Sequence, residues 1–224
     1  MIPGFERIRA FIFDMDGTIL DSMLKWRSEN KGFYERRSLP VPEDIRDNVD
    51  RITSGALVER YIKDHPGEIT YQQGLREYVD RMVVHYDTDV FPKKGIERFL
   101  RLLKDKGYLL CVGTATPREI AKKALSKHGL LEYFLFVTDN EETGCTKSGA
   151  EYYCRVAERL GVKPEECVMF EDAPYAMRGA KSAGLLAFAV EETINLWDEN
   201  KMKEIMELAD LYVADFDDAA EKLF

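Results

Sequence analysis

Short, densely apolar runs recur along the chain, and longer amphipathic stretches separate them. The runs are Ile8 to Phe13, Tyr108–Gly113, Phe134–Thr138, Cys167–Phe170, Leu185–Val190 and Leu211–Val213. They lack the polar alternation of a strand with one wet face, so they suit strands covered on both sides, as in a parallel sheet. The stretches between them read as helices. Ile96, Phe99, Leu100 and Leu103 follow the i, i+3, i+4, i+7 spacing of one buried helical face. Thr116 is placed to cap the next helix, with Pro117 at its first position, Glu119 at the capping-box position and Gly129 at its end. Ser148 and Glu151 repeat that capping-box spacing, and Gly161 closes the helix they open. Strand and helix alternate in this way to about residue 190, which predicts an α/β core built on a doubly wound parallel sheet.

One stretch breaks the alternation. Between about Ser22 and about Val90 the pattern is helical throughout, over Leu24 to Arg37, Ala56 to Lys63 and Tyr71 to His85. Pro40, Pro42, His65-Pro66-Gly67 and Pro92 mark the breaks. The expected organisation is therefore a core of residues 1–21 and 91–224 interrupted by an all-helical domain of residues 22–90. In open α/β sheets the site lies beyond the carboxyl ends of the strands, so an insertion after the first strand is expected to act as a lid or cap.

Composition narrows the class. The 224 residues are 45% hydrophobic, enough for a real core, and carry a net charge of −9. That balance disfavours nucleic acid and anionic membrane as partners, because both call for a basic face. The excess is local. Glu191 to Phe224 holds eleven acids against three bases, net −8, which leaves −1 for the other 190 residues. The acidic tail is expected to form solvated helix faces. Cys111, Cys145, Cys154 and Cys167 include no CxxC pair, so structural zinc is not expected and reduced thiols in a cytoplasm are. No signal peptide and no apolar run of membrane-spanning length is visible. A monomer is expected, with oligomers left open.

The residues that follow the strands carry the candidate chemistry. Asp14-Met15-Asp16-Gly17-Thr18 follows the first, Thr114-Ala115-Thr116 the second, and Glu171-Asp172 the fourth; Lys147 stands just before a helix start. Two carboxylates, a hydroxyl, a lysine and an acidic pair thus converge on one edge of the sheet. This set, in this order, resembles the haloacid dehalogenase superfamily. The resemblance rests on Phe13-Asp14-Met15-Asp16-Gly17-Thr18-Ile19-Leu20-Asp21-Ser22 and on Val168-Met169-Phe170-Glu171-Asp172 with the small residues after it. The inserted helices look like the cap of the subgroup holding phosphoglycolate phosphatases and β-phosphoglucomutases.

The resemblance implies a Rossmann-like core, bound Mg2+ and phosphoryl transfer through an aspartyl-phosphate. Asp14 would be the nucleophile and Asp16 the acid and base. Thr114 and Lys147 would hold the transferring phosphoryl group, with Gly17 and the amides around it, and Ala115, lining the pocket. Asp14, Asp172, a carbonyl at Asp16 and Glu171, directly or through water, would hold the metal. Asp21 and Ser22 read as helix-start residues. His65, His85 and His128 read as surface or packing residues, and Trp197 as packing. Lys25, Trp26, Arg27, Arg51 and Tyr61 are candidate substrate contacts, though plain helix surface or core accounts for each.

Asp16 separates phosphoryl transfer from dehalogenation, whose enzymes lack an aspartate there. Three departures count against a mutase. Trp26 stands where similar β-phosphoglucomutases carry a histidine, Pro117 where they carry a lysine, and Arg51-Ile52-Thr53-Ser54-Gly55 matches their cap arginine motif poorly. Arg118 could replace the missing lysine as a phosphate anchor, though a solvated helix position explains it as well. Thr146-Lys147-Ser148 replaces the usual Gly-Lys-Pro, so the loop before the lysine is expected to be set differently. The expectation is a phosphatase of a small phosphorylated metabolite. A β-phosphoglucomutase-type mutase is the alternative, and a non-catalytic phosphate-binding protein a minor one.

Overall fold

The computed structural model describes residues 2–46 and 52–224. The chain divides into two compact units, Ser22–Val90 and the remainder, Met1–Asp21 with Phe91–Phe224. Six strands form one sheet in the larger unit: β1 (Ala10–Phe13), β2 (Leu109–Gly113), β3 (Val137–Thr138), β4 (Cys167–Glu171), β5 (Leu186–Val190) and β6 (Leu211–Val213). Their order is β3-β2-β1-β4-β5-β6, and every neighbouring pair is parallel. The α/β, doubly wound architecture expected from the pattern is the one observed. Strand order reverses at β1, and such a switch point opens a crevice beyond the strands' carboxyl ends.

Burial on both sides explains why the strands read as unbroken apolar runs. Ile12 lies opposite Cys111 on one side and Met169 on the other. These residues form one core cluster with Tyr152, Tyr153, Val156 and Ala180. The alternate positions build the opposite face from phenylalanine. Phe13 and Phe170 stack with ring centroids 5.1 Å apart, and Phe99 and Phe216 close over Phe170 at 5.5 Å each. Phe134–Thr138 shrinks to a two-residue β3, because Leu131–Tyr133 is a 3-10 turn and Leu135 is exposed.

The helices are α1 (Met23–Glu35), α2 (Glu43–Arg46), α3 (Ser54–Asp64) and α4 (Tyr71–Thr88) in the smaller unit. The larger unit holds α5 (Ile96–Asp105), α6 (Arg118–Lys127), α7 (Asn140–Thr143), α8 (Ala150–Leu160), α9 (Pro174–Ala183), α10 (Glu199–Leu208) and α11 (Phe216–Leu223). Among the described residues, no helix is long and apolar enough to cross a membrane. Ser148 does not cap α8. Gly149 takes the N-cap position, while the Ser148 hydroxyl pairs with that of Thr146 at 2.8 Å.

The smaller unit has a core of its own. Phe33, Tyr34, Leu57, Val58, Tyr61 and Tyr78 cluster, with Phe33 stacked on Tyr78 at 5.1 Å. Tyr61 is thus a core residue whose hydroxyl donates to Glu68, and Trp26 packs against the same cluster. Lys25 is held by Asp89 at 2.5 Å, and Arg27 is buried. Arg51 lies outside the described residues. His85 does more than pack: its ring nitrogens sit 3.0 Å from Glu29 and 2.9 Å from Asp89.

The acidic tail is also more engaged than a solvated face would be. Asp198 and Asp215 cap α10 and α11, Asp210 pairs with Lys181, and Glu192 is buried against Lys93. Trp197, read as packing, is 58% exposed.

Candidate active site

β1, β2 and β4 deliver their last residues to one edge of the sheet. Asp14 leaves β1 with its amide still in the sheet, donating to Phe170 O at 3.0 Å, and Thr114 does the same toward Thr138 O. The loop after β1 is then wound tightly, with the amides of Thr18, Ile19 and Leu20 all donating to Met15 O. Gly17 is required twice in this loop. Its φ is +82°, and a Cβ there would lie 2.7 Å from the Asp172 carboxylate.

Lys147 reaches the same point from the loop before α8. Its side chain is buried, and its ammonium donates to Asp14 Oδ1 at 2.5 Å and to Glu171 Oε1 at 3.1 Å. Helix α9 packs hard against the Lys147 backbone: a Cβ on Gly179 would stand 2.2 Å from the Lys147 carbonyl oxygen. The run of small residues after Asp172 therefore serves a close approach of helix to loop.

Carboxylate oxygens of Asp14, Glu171 and Asp172 lie within 4.8 Å of one another, and all three residues are buried. One ammonium cannot balance them. Burial raises the pKa of Asp14, Lys147 opposes that shift, and the charge of Asp16 adds to it. Glu171 is pushed well above the carboxylate range by burial and then by Asp14. Asp172 is pushed up to about 7 by burial, Asp14 and Glu192. Burial works against the charge on Lys147 too, but Asp14 and Glu171 hold its pKa well above that of an ordinary lysine. Such crowding of oxygen donors with uncompensated charge fits a hard divalent cation.

Thr116 is placed differently from the expectation. Pro117 occupies the N-cap of α6, without a side-chain cap. The Thr116 hydroxyl instead donates to Asp16 Oδ2 at 2.7 Å, and its amide donates to Thr114 Oγ1 at 3.0 Å. The cap of α6 comes from Asp139, whose Oδ2 accepts from the Arg118 amide while Oδ1 accepts from Glu142 at the start of α7. Arg118 itself is paired with Glu142 and Glu119. Asn195 also escaped sequence reasoning: its side-chain amide, buried, donates to the Asp172 carbonyl at 2.7 Å. No local pattern marks that residue, since its role depends on a fold that brings the segment after β5 beside β4.

Residues 8–184 match the family model for haloacid dehalogenase-like hydrolases. The phosphoglycolate phosphatase of Chromobacterium violaceum is 29% identical over 222 residues, covering 93% of this chain and 98% of that protein. The phosphorylated carbohydrates phosphatase of Thermotoga maritima is 28% identical over 183 residues, covering 80% and 82%. The solved β-phosphoglucomutase of Clostridium difficile superposes with a TM-score of 0.70 at 21% identity, covering 96% of this chain and 97% of that one, a likeness of fold. The chain belongs to the haloacid dehalogenase-like hydrolases, and is an enzyme of that family.

Proposed function

We propose that this enzyme, a phosphoric monoester hydrolase, uses Mg2+ to hydrolyse a small phosphorylated metabolite, a sugar phosphate or a phosphoglycolate-like compound, through an aspartyl-phosphate on Asp14. The buried Lys147 bridging Asp14 and Glu171 beside Asp172 is the observation that carries the reading. Asp14, Asp172, the Asp16 carbonyl and Glu171 would hold the metal. Glu171 would do so directly or through water. Bound there, Mg2+ offsets the mutual repulsion of phosphoryl oxygens and carboxylates.

The chain's own groups account for the proton and bond changes. An Asp14 carboxylate oxygen attacks phosphorus as the bond from phosphorus to the ester oxygen breaks. Asp16, protonated, gives its proton to that leaving oxygen. Its carboxylate then takes a proton from water, the hydroxide attacks phosphorus, and Asp14 departs with its bonding electrons to leave inorganic phosphate. Thr114 accepts a bond from Thr116 and keeps its own O–H to donate to the phosphoryl group. Lys147 balances charge on Asp14 and the phosphoryl oxygens, and Gly17 and Ala115 line the cradle. Residues 22–90 would serve as the helical cap, and the cysteine usage supports a cytoplasmic setting.

Hydrolysis is favoured over mutase chemistry by Pro117 and Arg118. The first has no charge, and the second is committed to Glu142 and Glu119, so neither supports a second phosphate. With Mg2+, the purified protein is expected to release phosphate from a panel of sugar phosphates and phosphoglycolate. Asp14→Asn is expected to abolish release while leaving the fold intact. Release that survives Asp14→Asn overturns the nucleophile; glucose 6-phosphate formed from β-glucose 1-phosphate faster than free phosphate overturns the hydrolase.

A further inference from the structure

Beside the proposed metal ligands lies a buried ion pair that the reaction as derived does not use. Lys93 places its ammonium 2.8 Å from Glu192 Oε2 and donates to the Glu191 carbonyl at 2.5 Å. The Glu192 side chain is 0% exposed and that of Lys93 11%. A buried pair of this kind is costly to assemble, and removing one partner alone leaves an uncompensated charge. Its place in the chain gives it a task. The Lys93 amide donates to Ile19 O at 2.8 Å, and the adjacent Pro92 bridges to Leu20, so Lys93 is anchored on the loop that carries Asp14 and Asp16. Glu192 opens the turn that ends at Asn195, whose amide donates to Glu192 O at 2.8 Å. The Asn195 side chain, 1% exposed, then donates to the Asp172 carbonyl.

We propose that Lys93, Glu192 and Asn195 form a positioning relay that sets the distance of Asp172 from the loop after β1, and so sets the affinity of the metal site. The inference rests on the reading of Asp172 as a metal ligand. The connection runs in one line: loop after β1, Lys93, Glu192, turn, Asn195, Asp172 backbone. Groups that orient a ligand from behind commonly govern metal affinity by about 10- to 100-fold. Asn195 bonds the backbone of Asp172 and leaves its carboxylate to the ion, which suits a residue that positions without competing.

Direct Mg2+ titration by calorimetry on the full chain, without substrate, tests this, with thermal melting of the metal-free protein as the check on folding. Asn195→Ala and Lys93→Met are each expected to weaken Mg2+ binding about tenfold, and Lys93→Arg to retain most of it. The double variant Asn195→Ala with Lys93→Met is expected to lose little more than either single one, because both cut the same line. If Lys93→Met does not fold, Asn195→Ala and Lys93→Arg decide the matter. Folded Asn195→Ala that binds Mg2+ as the wild type does overturns the relay, as do fully additive losses. Failure of the wild type to bind Mg2+ overturns the metal reading itself, a separate outcome.

Discussion

Gly17→Ala separates backbone cost from site geometry when it is paired with Gly161→Ala. Both glycines have positive φ, +82° and +72°. A left-handed alanine costs about 1–2 kcal/mol, and in a domain of this size each kcal/mol lowers Tm by about 2–4 °C. At Gly161 nothing lies within 4 Å of the added Cβ, so the backbone cost is the whole effect. At Gly17 the Cβ meets Asp172 at 2.7 Å, and reaching an ordinary contact of 3.4 Å requires the carboxylate to retreat by about 0.7 Å. Both variants are therefore expected to melt a few degrees lower, but Gly17→Ala alone is expected to lose at least about tenfold in Mg2+ affinity. Calorimetric Mg2+ titration beside thermal melting reads both quantities. Equal Mg2+ affinity in the two variants would refute the argument that Gly17 exists to let Asp172 approach.

Two further outcomes follow from the charges. Lys147→Met strands Asp14 and Glu171 without their buried counter-ion, and chemical denaturation should show a loss of about 3–5 kcal/mol in the metal-free protein; a loss under about 1 kcal/mol would mean the carboxylates are wetter than their burial implies. The raised pKa of Asp172 gives a pH signature. Folded, it binds a proton up to about pH 7, whereas unfolded it releases it near 3.8, so metal-free stability should fall as pH rises from about 4 to about 7. Mg2+ would replace the proton, so the Tm gain on adding Mg2+ should be larger near the top of that window than at its foot; a pH-independent gain would contradict this.

The sheet was readable in advance because its chemistry is one-dimensional. Burial on both faces leaves no charged position inside Ala10–Phe13 or Cys167–Phe170, and that signal survives without knowledge of partners. The motif after β1 and the acidic pair at the end of β4 were legible for a related reason, since each is a contiguous string. Caps failed where a side chain had a better partner, near for Ser148, which pairs with Thr146, and far for Thr116. Thr116 and Ser148 match the local rule, yet Thr116 bonds Asp16, one hundred positions earlier, and the helix takes its cap from Asp139. Glu192 and Asn195 were illegible for the same reason. An acid in an acidic tail looks solvated until Lys93 arrives from 99 positions away.

The central place of β1 has a consequence for synthesis. Its neighbours on either side are β2 and β4, so Ala10–Phe13 leaves the ribosome before either and lacks its second partner until Glu171 has been made. At about 5–20 residues per second, that delay is about 8–30 s. Until Gly113 has been made, four residues that end fully buried have no strand to join, and after it they have β2 alone, while Ser22–Val90, which has its own apolar cluster, can already collapse. A substitution that makes this nascent strand stickier would therefore lower the yield of folded chains by more than its effect on the stability of the finished core accounts for.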